Sequence, residues 1–148
     1  MSFRRTLLII AAAAVIAAFI PVRSLNCPAW DVWVTDRSGR AARGVTVRLS
    51  CRNYSAERDS HEIDATTNAQ GRVAFSARTI SASLGRRALA ILSSAMEGAH
   101  ASFGPHASVF AFGEGLEGFA IDEKGVVVDW TGKPSHMESR IIVVLRKP

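Results

Sequence analysis

The chain lacks most of the arrangements that carry enzymatic chemistry. No Gly-x-Ser-x-Gly elbow is present to expose a serine nucleophile, and His61-Glu62 has no second histidine at the spacing a helical zinc-protease site needs. Neither a catalytic triad nor a paired-carboxylate site can be assembled from motifs, so no catalytic and no cofactor-binding residue is assigned. Internal repeats and low-complexity linkers are missing too, which excludes a solenoid and leaves one domain around one core. The longest apolar run, Leu7 to Ile20, would measure about 21 Å as a helix, short of the ~30 Å hydrocarbon core of a bilayer. Lysine is limited to Lys124, Lys133 and Lys147, and cysteine to Cys27 and Cys51, enough for a single disulfide.

Arg4 and Arg5 ahead of the apolar run, with Pro21 and Arg23 behind it, give the layout of an export signal. Val22 and Ser24 fill the small-residue positions before a cut between Ser24 and Leu25. Residues 1–24 are therefore read as a cleaved signal peptide and residues 25–148 as the exported domain, periplasmic or secreted. The alternative is an uncleaved signal anchor, in which case this segment alone would contact a membrane. Asn26 in front of Cys27 excludes a lipidated cysteine, which needs a small residue there. Without Arg4, Arg5 and Arg23 the charge falls from +5 to +2, so the high isoelectric point says little about partners. Arg37, Arg40, Arg43, Arg48, Arg52 and Arg58 are interleaved with acids, without the basic and aromatic stripe of a nucleic-acid groove.

Local grammar gives the fold class. Val34-Thr35-Asp36-Arg37-Ser38-Gly39 is followed by Gly44-Val45-Thr46-Val47-Arg48-Leu49, and Thr66-Thr67-Asn68-Ala69-Gln70-Gly71 by Arg72-Val73-Ala74-Phe75. Asp and Asn start turns by accepting hydrogen bonds from nearby backbone, Gly accepts positive φ, and the flanking alternation suits half-buried strands. The pattern resembles the carboxypeptidase regulatory-like and transthyretin-like domains over Trp30 to Ala77. That resemblance implies an all-β, immunoglobulin-like or transthyretin-like antiparallel sandwich of about seven or eight strands. It also implies an accessory or binding role toward a protein or glycan partner. The hydroxyisourate-hydrolysing branch ends in Tyr-Arg-Gly-Ser, whereas this chain ends Val144-Leu145-Arg146-Lys147-Pro148, so that activity is not carried over. Nor is the Lys–Asn isopeptide chemistry of pilin-like relatives, since none of the three lysines stands at a motif position.

Finer expectations follow from periodicity. Trp30, Val32 and Val34 share one face of a first strand, and Val45, Val47, Leu49 and Cys51 one face of a second. A hairpin between the two would bring Cys51 opposite Ala29, close enough to Cys27 for a bridge. One amphipathic helix is expected near 82–98, capped by Ser81 or Ser83 and ended by Gly98, with Leu84, Ala88, Ile91, Leu92, Ala95, Met96 and Ala99 on one side. Its apolar stripe is expected to cover the sheet face carrying Trp33, making Trp33 structural; an exposed Trp33 would be a partner contact instead. Strands resume at 108–112, 118–121, 126–130 and 140–145, the last expected to be buried on both faces. Gly113 to Gly118 matches a dinucleotide fingerprint by letter but precedes a strand rather than a helix, so it reads as a loop. His100, His106 and the pair His136-Met137 are the candidates for a copper or other metal site, the first rival to the binding-module reading. An enzyme of a kind these motifs do not reveal is the second. No resident cofactor is expected. Asn53-Tyr54-Ser55 is a glycosylation sequon.

Overall fold

The computed structural model describes residues 3–96, 102–113, 115–122 and 125–145. Its elements are α1 (Phe3–Phe19), β1 (Pro21–Cys27), β2 (Ala29–Thr35), β3 (Thr46–Asn53), β4 (His61–Thr66), β5 (Arg72–Phe75), β6 (Arg78–Ser83) and α2 (Leu84–Met96). They continue with β7 (Pro105–Gly113), β8 (Leu116–Ile121), β9 (Asp129–Trp130), β10 (His136–Ile142) and β11 (Val144–Leu145). The all-β class holds, with two helices and more strands than the seven or eight expected, two of them only two residues long.

The main sheet runs β4-β3-β7-β8-β10-β2-β5, with β9 beside β7 and β11 beside β8, while β1 and β6 form a separate two-stranded ribbon. Alternation sends Trp30, Val32 and Val34 of β2, Val47, Leu49 and Cys51 of β3, Val109 of β7 and Ile141 of β10 into one buried cluster. Strands near opposite ends of the path thus share one interior, and the sheet curls into a barrel- or sandwich-like body. The two large buried indoles keep their N–H groups satisfied: Trp30 donates to Ser139 Oγ at 3.0 Å and Trp130 to the Pro134 carbonyl at 2.6 Å.

The turns carry the grammar read from the sequence, three times over. Asp36 Oδ1 accepts from the Ser38 and Arg40 amides at 2.8 and 3.0 Å, and Asn68 Oδ1 accepts from the Gln70 and Arg72 amides at 3.0 and 2.9 Å. Asp122 Oδ1 repeats this with the Val126 amide at 2.9 Å. In each turn the amide three residues on donates back to the first residue's carbonyl, and the third of these turns was not anticipated. Gly71 is required twice over, because its φ is +71° and a Cβ there would collide with the Val34 carbonyl oxygen.

Three expectations need correction. β2 and β3 do not form a hairpin: β2 lies between β5 and β10, the latter parallel to it with Met137 opposite Trp30, while β3 lies between β4 and β7. The Cys27–Cys51 disulfide is nonetheless present, with Cα atoms 5.9 Å apart, because β1 brings Cys27 to β3 from outside the main sheet. α2 starts where expected, with Ser83 Oγ accepting from the Arg86 amide at 3.2 Å, but it buries no residue and rests beside α1 instead of on the sheet. Gly98 lies outside the described residues. The 140–145 run is central in the sheet yet alternates, with Ile141 and Val143 buried and Ile142 41% exposed. Among the described residues, no helix covers its outer side.

Candidate functional site

With α2 elsewhere, no element among the described residues covers the outer face of the sheet. Trp33 is half-buried there, on β2, with the Arg72 guanidinium 5.6 Å from its ring centroid. Backbone pairing aligns Trp33 with Arg140 on β10 and Arg140 with Ile121 on β8. One step along, β8 and β7 place Phe119 opposite Phe110, and β7 and β3 place Phe110 opposite Arg48. Phe110 stands 5.7 Å from Phe112 and 6.2 Å from Phe119, ring centre to ring centre, and the Arg48 guanidinium lies 5.3 Å from the Phe112 ring. Phe119 is 57% exposed.

An open groove of about 950 Å³ runs over this face between the Asp36 turn and the Ile121–Asp122 segment, floored by Trp33, Arg140 and Ile142. Its borders are charged. Asp36 is held down to a pKa of about 2, first by the Ser38 hydroxyl and then by the Arg40 amide, so it is a fixed anion at the rim. Farther along, Arg48 bridges Asp64 at 2.7 Å and Glu62 at 2.8 Å. Its hydrogen bond to Asp64 raises the guanidinium pKa and lowers that of the carboxyl. Aromatic and aliphatic groups inside a border of paired charges make a surface suited to recognition by contact area and by polar complementarity.

Of the metal candidates, His106 and His136 face different carboxylates. His106, on β7, has Asp129 Oδ2 at 3.7 Å from Nε2, whereas His136, at the start of β10, has Asp31 Oδ2 at 3.5 Å and Glu138 Oε1 at 3.6 Å. Met137 packs inward against the core, on the opposite side of the strand from His136, so the adjacent pair cannot converge on one ion. His100 lies outside the described residues. Among the described residues, no group of three His, Cys, Asp or Glu side chains is arranged to hold a metal ion. The Gly113–Gly118 segment turns β7 into antiparallel β8, with Gly113 opposite Leu116; Glu114 lies outside the described residues.

One polar constellation escaped the sequence reading. Asn26 on β1, fully buried, donates to Glu57 Oε2 at 2.7 Å, the Asn53 amide of β3 donates to the same oxygen at 3.1 Å, and Arg78 of β6 donates to Oε1 at 2.7 Å. This ties the ribbon to the sheet beside the disulfide. No motif announces it, because its members come from four places in the chain. Asn53 itself is 2% exposed and its Oδ1 accepts from the Ser55 amide at 3.1 Å, so the sequon asparagine is enclosed in the folded chain.

No family model matches the chain, and no curated protein matches it. Among solved structures it is similar to a 9R-lipoxygenase from Cyanothece PCC8801, at 10% identity and a TM-score of 0.31, over 79% of this chain and 16% of that one. The chain thus spans about a sixth of that structure, and a likeness of this size carries no argument about activity.

Proposed function

We propose that this chain is an exported, non-enzymatic binding module of the carboxypeptidase regulatory-like and transthyretin-like kind, and that it grips a protein partner through the outer face of its curled sheet. The observation that carries the reading is the uncovered strip from Trp33 through Ile142 and Phe119 to Phe110 and Phe112. It crosses three inter-strand spacings, about 14 Å. A strip of that breadth, with aromatic rings and Arg140 inside it and Arg48, Asp36 and Glu138 around it, has the anatomy of a protein contact: a mostly apolar centre with a charged rim. Export is supported by the N-terminal basic and apolar segment and by the disulfide, which suits an oxidising compartment.

The test is a pull-down from envelope and secreted fractions of the source organism with the wild-type chain and with a Trp33→Ala, Phe119→Ser variant. A protein retained by the wild type and lost with the variant supports the proposal. Retention of the same proteins by both would overturn it. Binding to a glycan array that depends on Trp33 would replace the protein partner by a carbohydrate, for which the groove beside the indole has the chemistry.

A further inference from the structure

Two apolar helices stand outside the core. Neither α1 nor α2 contains a buried residue, and Leu8, Ile16 and Phe19 on α1 and Leu89, Leu92 and Met96 on α2 are between 62% and 84% exposed. Both helices leave the same end of the β1–β6 ribbon, where Pro21 pairs with Ser83. At their base Gly85 backs onto Ala18, so closely that a Cβ on Gly85 would lie 3.1 Å from the Ala18 carbonyl oxygen. Arg87 staples that base, donating to the Val22 carbonyl at 3.1 Å and to Ser24 Oγ at 2.8 Å. The expected cut between Ser24 and Leu25 therefore falls inside a strand paired with β6 and directly beside this staple.

The chemistry of the pair selects its surroundings. At 100° per residue, Leu84, Leu89, Ile91, Leu92 and Met96 fall on one side of α2, and Arg86, Arg87, Ser93 and Ser94 on the other. Neither helix contains an acidic residue, and Arg23, Arg86 and Arg87 cluster at the ribbon end. Arg4 and Arg5 stand at the far end of α1, so exposed apolar surface bounded by cations at both ends matches helices lying at the boundary between acyl chains and anionic headgroups. We infer that α1 is retained in the folded protein and that α1 and α2 embed side by side in an anionic lipid bilayer, holding the sheet at the surface with its outer face free. Among the described residues, no helix is long and apolar enough to cross a membrane.

Flotation of the full chain with vesicles of phosphatidylcholine and phosphatidylglycerol tests this. The wild type should float, and more weakly with phosphatidylcholine alone. A Leu89→Asp, Leu92→Asp, Met96→Asp variant should bind about tenfold less while its sheet melts as before, since none of the three is buried. Independently, a Leu92→Trp variant should show blue-shifted emission that brominated lipid quenches. The inference is overturned by a triple variant that floats as well as the wild type, by an unquenched Trp at position 92, or by exported protein that begins at Leu25. It is equally overturned if sedimentation finds a dimer that hides the helices and ignores vesicles.

Discussion

Replacing Glu57 by glutamine probes the lock between ribbon and sheet. The wild-type carboxylate accepts three hydrogen bonds, from Asn26 Nδ2, the Asn53 amide and Arg78 Nη2, with its side chain 16% exposed and that of Arg78 31%. Hydrogen bonds to charged groups contribute about 1.5–3 kcal/mol each, but the three share one group and remaining solvent screens them. Glutamine keeps one acceptor and turns an NH2 toward a donor. The expected loss is about 2–4 kcal/mol at pH 7, read from urea unfolding as a midpoint shift of ~1–2 M. Burial alone would raise the Glu57 pKa, but the hydrogen bonds from Arg78 and the Asn53 amide, with the Arg78 charge and Asn26, outweigh it and hold the pKa below the ordinary 4.5. A folded-state pKa below the unfolded one stabilises fully above the unfolded value, and the gain disappears as pH falls through the folded one. The gap between wild type and variant should therefore narrow as pH falls below about 4.5. Asp36 and Asp64, also depressed, are common to both proteins and cancel in the difference. A loss under about 0.5 kcal/mol at pH 7, or a gap that stays constant down to pH 2, would show that the Glu57 charge does not hold the ribbon to the sheet.

Three further outcomes can be checked by thermal or denaturant melting. A Cys27→Ala, Cys51→Ala variant should lose about 3.5 kcal/mol, the chain-entropy value for a separation of 24 residues, and a loss under ~1 kcal/mol would mean the unfolded chain is already constrained. Trp33→Ala should cost about 1–3 kcal/mol, less than a fully buried core aromatic, since the residue is only partly covered; a loss of ~4–5 kcal/mol would show that something further covers this face. Gly71→Ala should cost more than Gly39→Ala, by roughly 1–3 kcal/mol. Both positions have positive φ, but only at Gly71 would the new Cβ meet backbone, the Val34 carbonyl. Equal losses would remove the clash from the account.

What is local could be read from the residues alone. Period-two alternation put Trp30, Val32 and Val34, and likewise Val47, Leu49 and Cys51, on inward faces, because a pleated strand leaves each side chain only two directions. Asp36–Gly39 and Asn68–Gly71 were legible as turns for an equally local reason, and Asp122–Gly125 repeats their spacing and was readable too. The outer aromatic strip was harder to see. In Val109-Phe110-Ala111-Phe112 every residue is apolar, the small ones face in and the phenylalanines face out, so hydrophobicity does not mark the buried side. Which strand lies beside which was settled only in the folded chain. Backbone ladders are nearly blind to side-chain identity, so β2 could take β10, more than a hundred residues away, in place of the adjacent β3. The fate of α2 was decided there as well: its periodicity demanded an apolar neighbour, and the ribbon's geometry turned it toward α1 and away from Trp33. The Asn26–Glu57–Arg78 lock belongs to the same class, since three polar residues distant in the chain become partners only when folding removes them from water together.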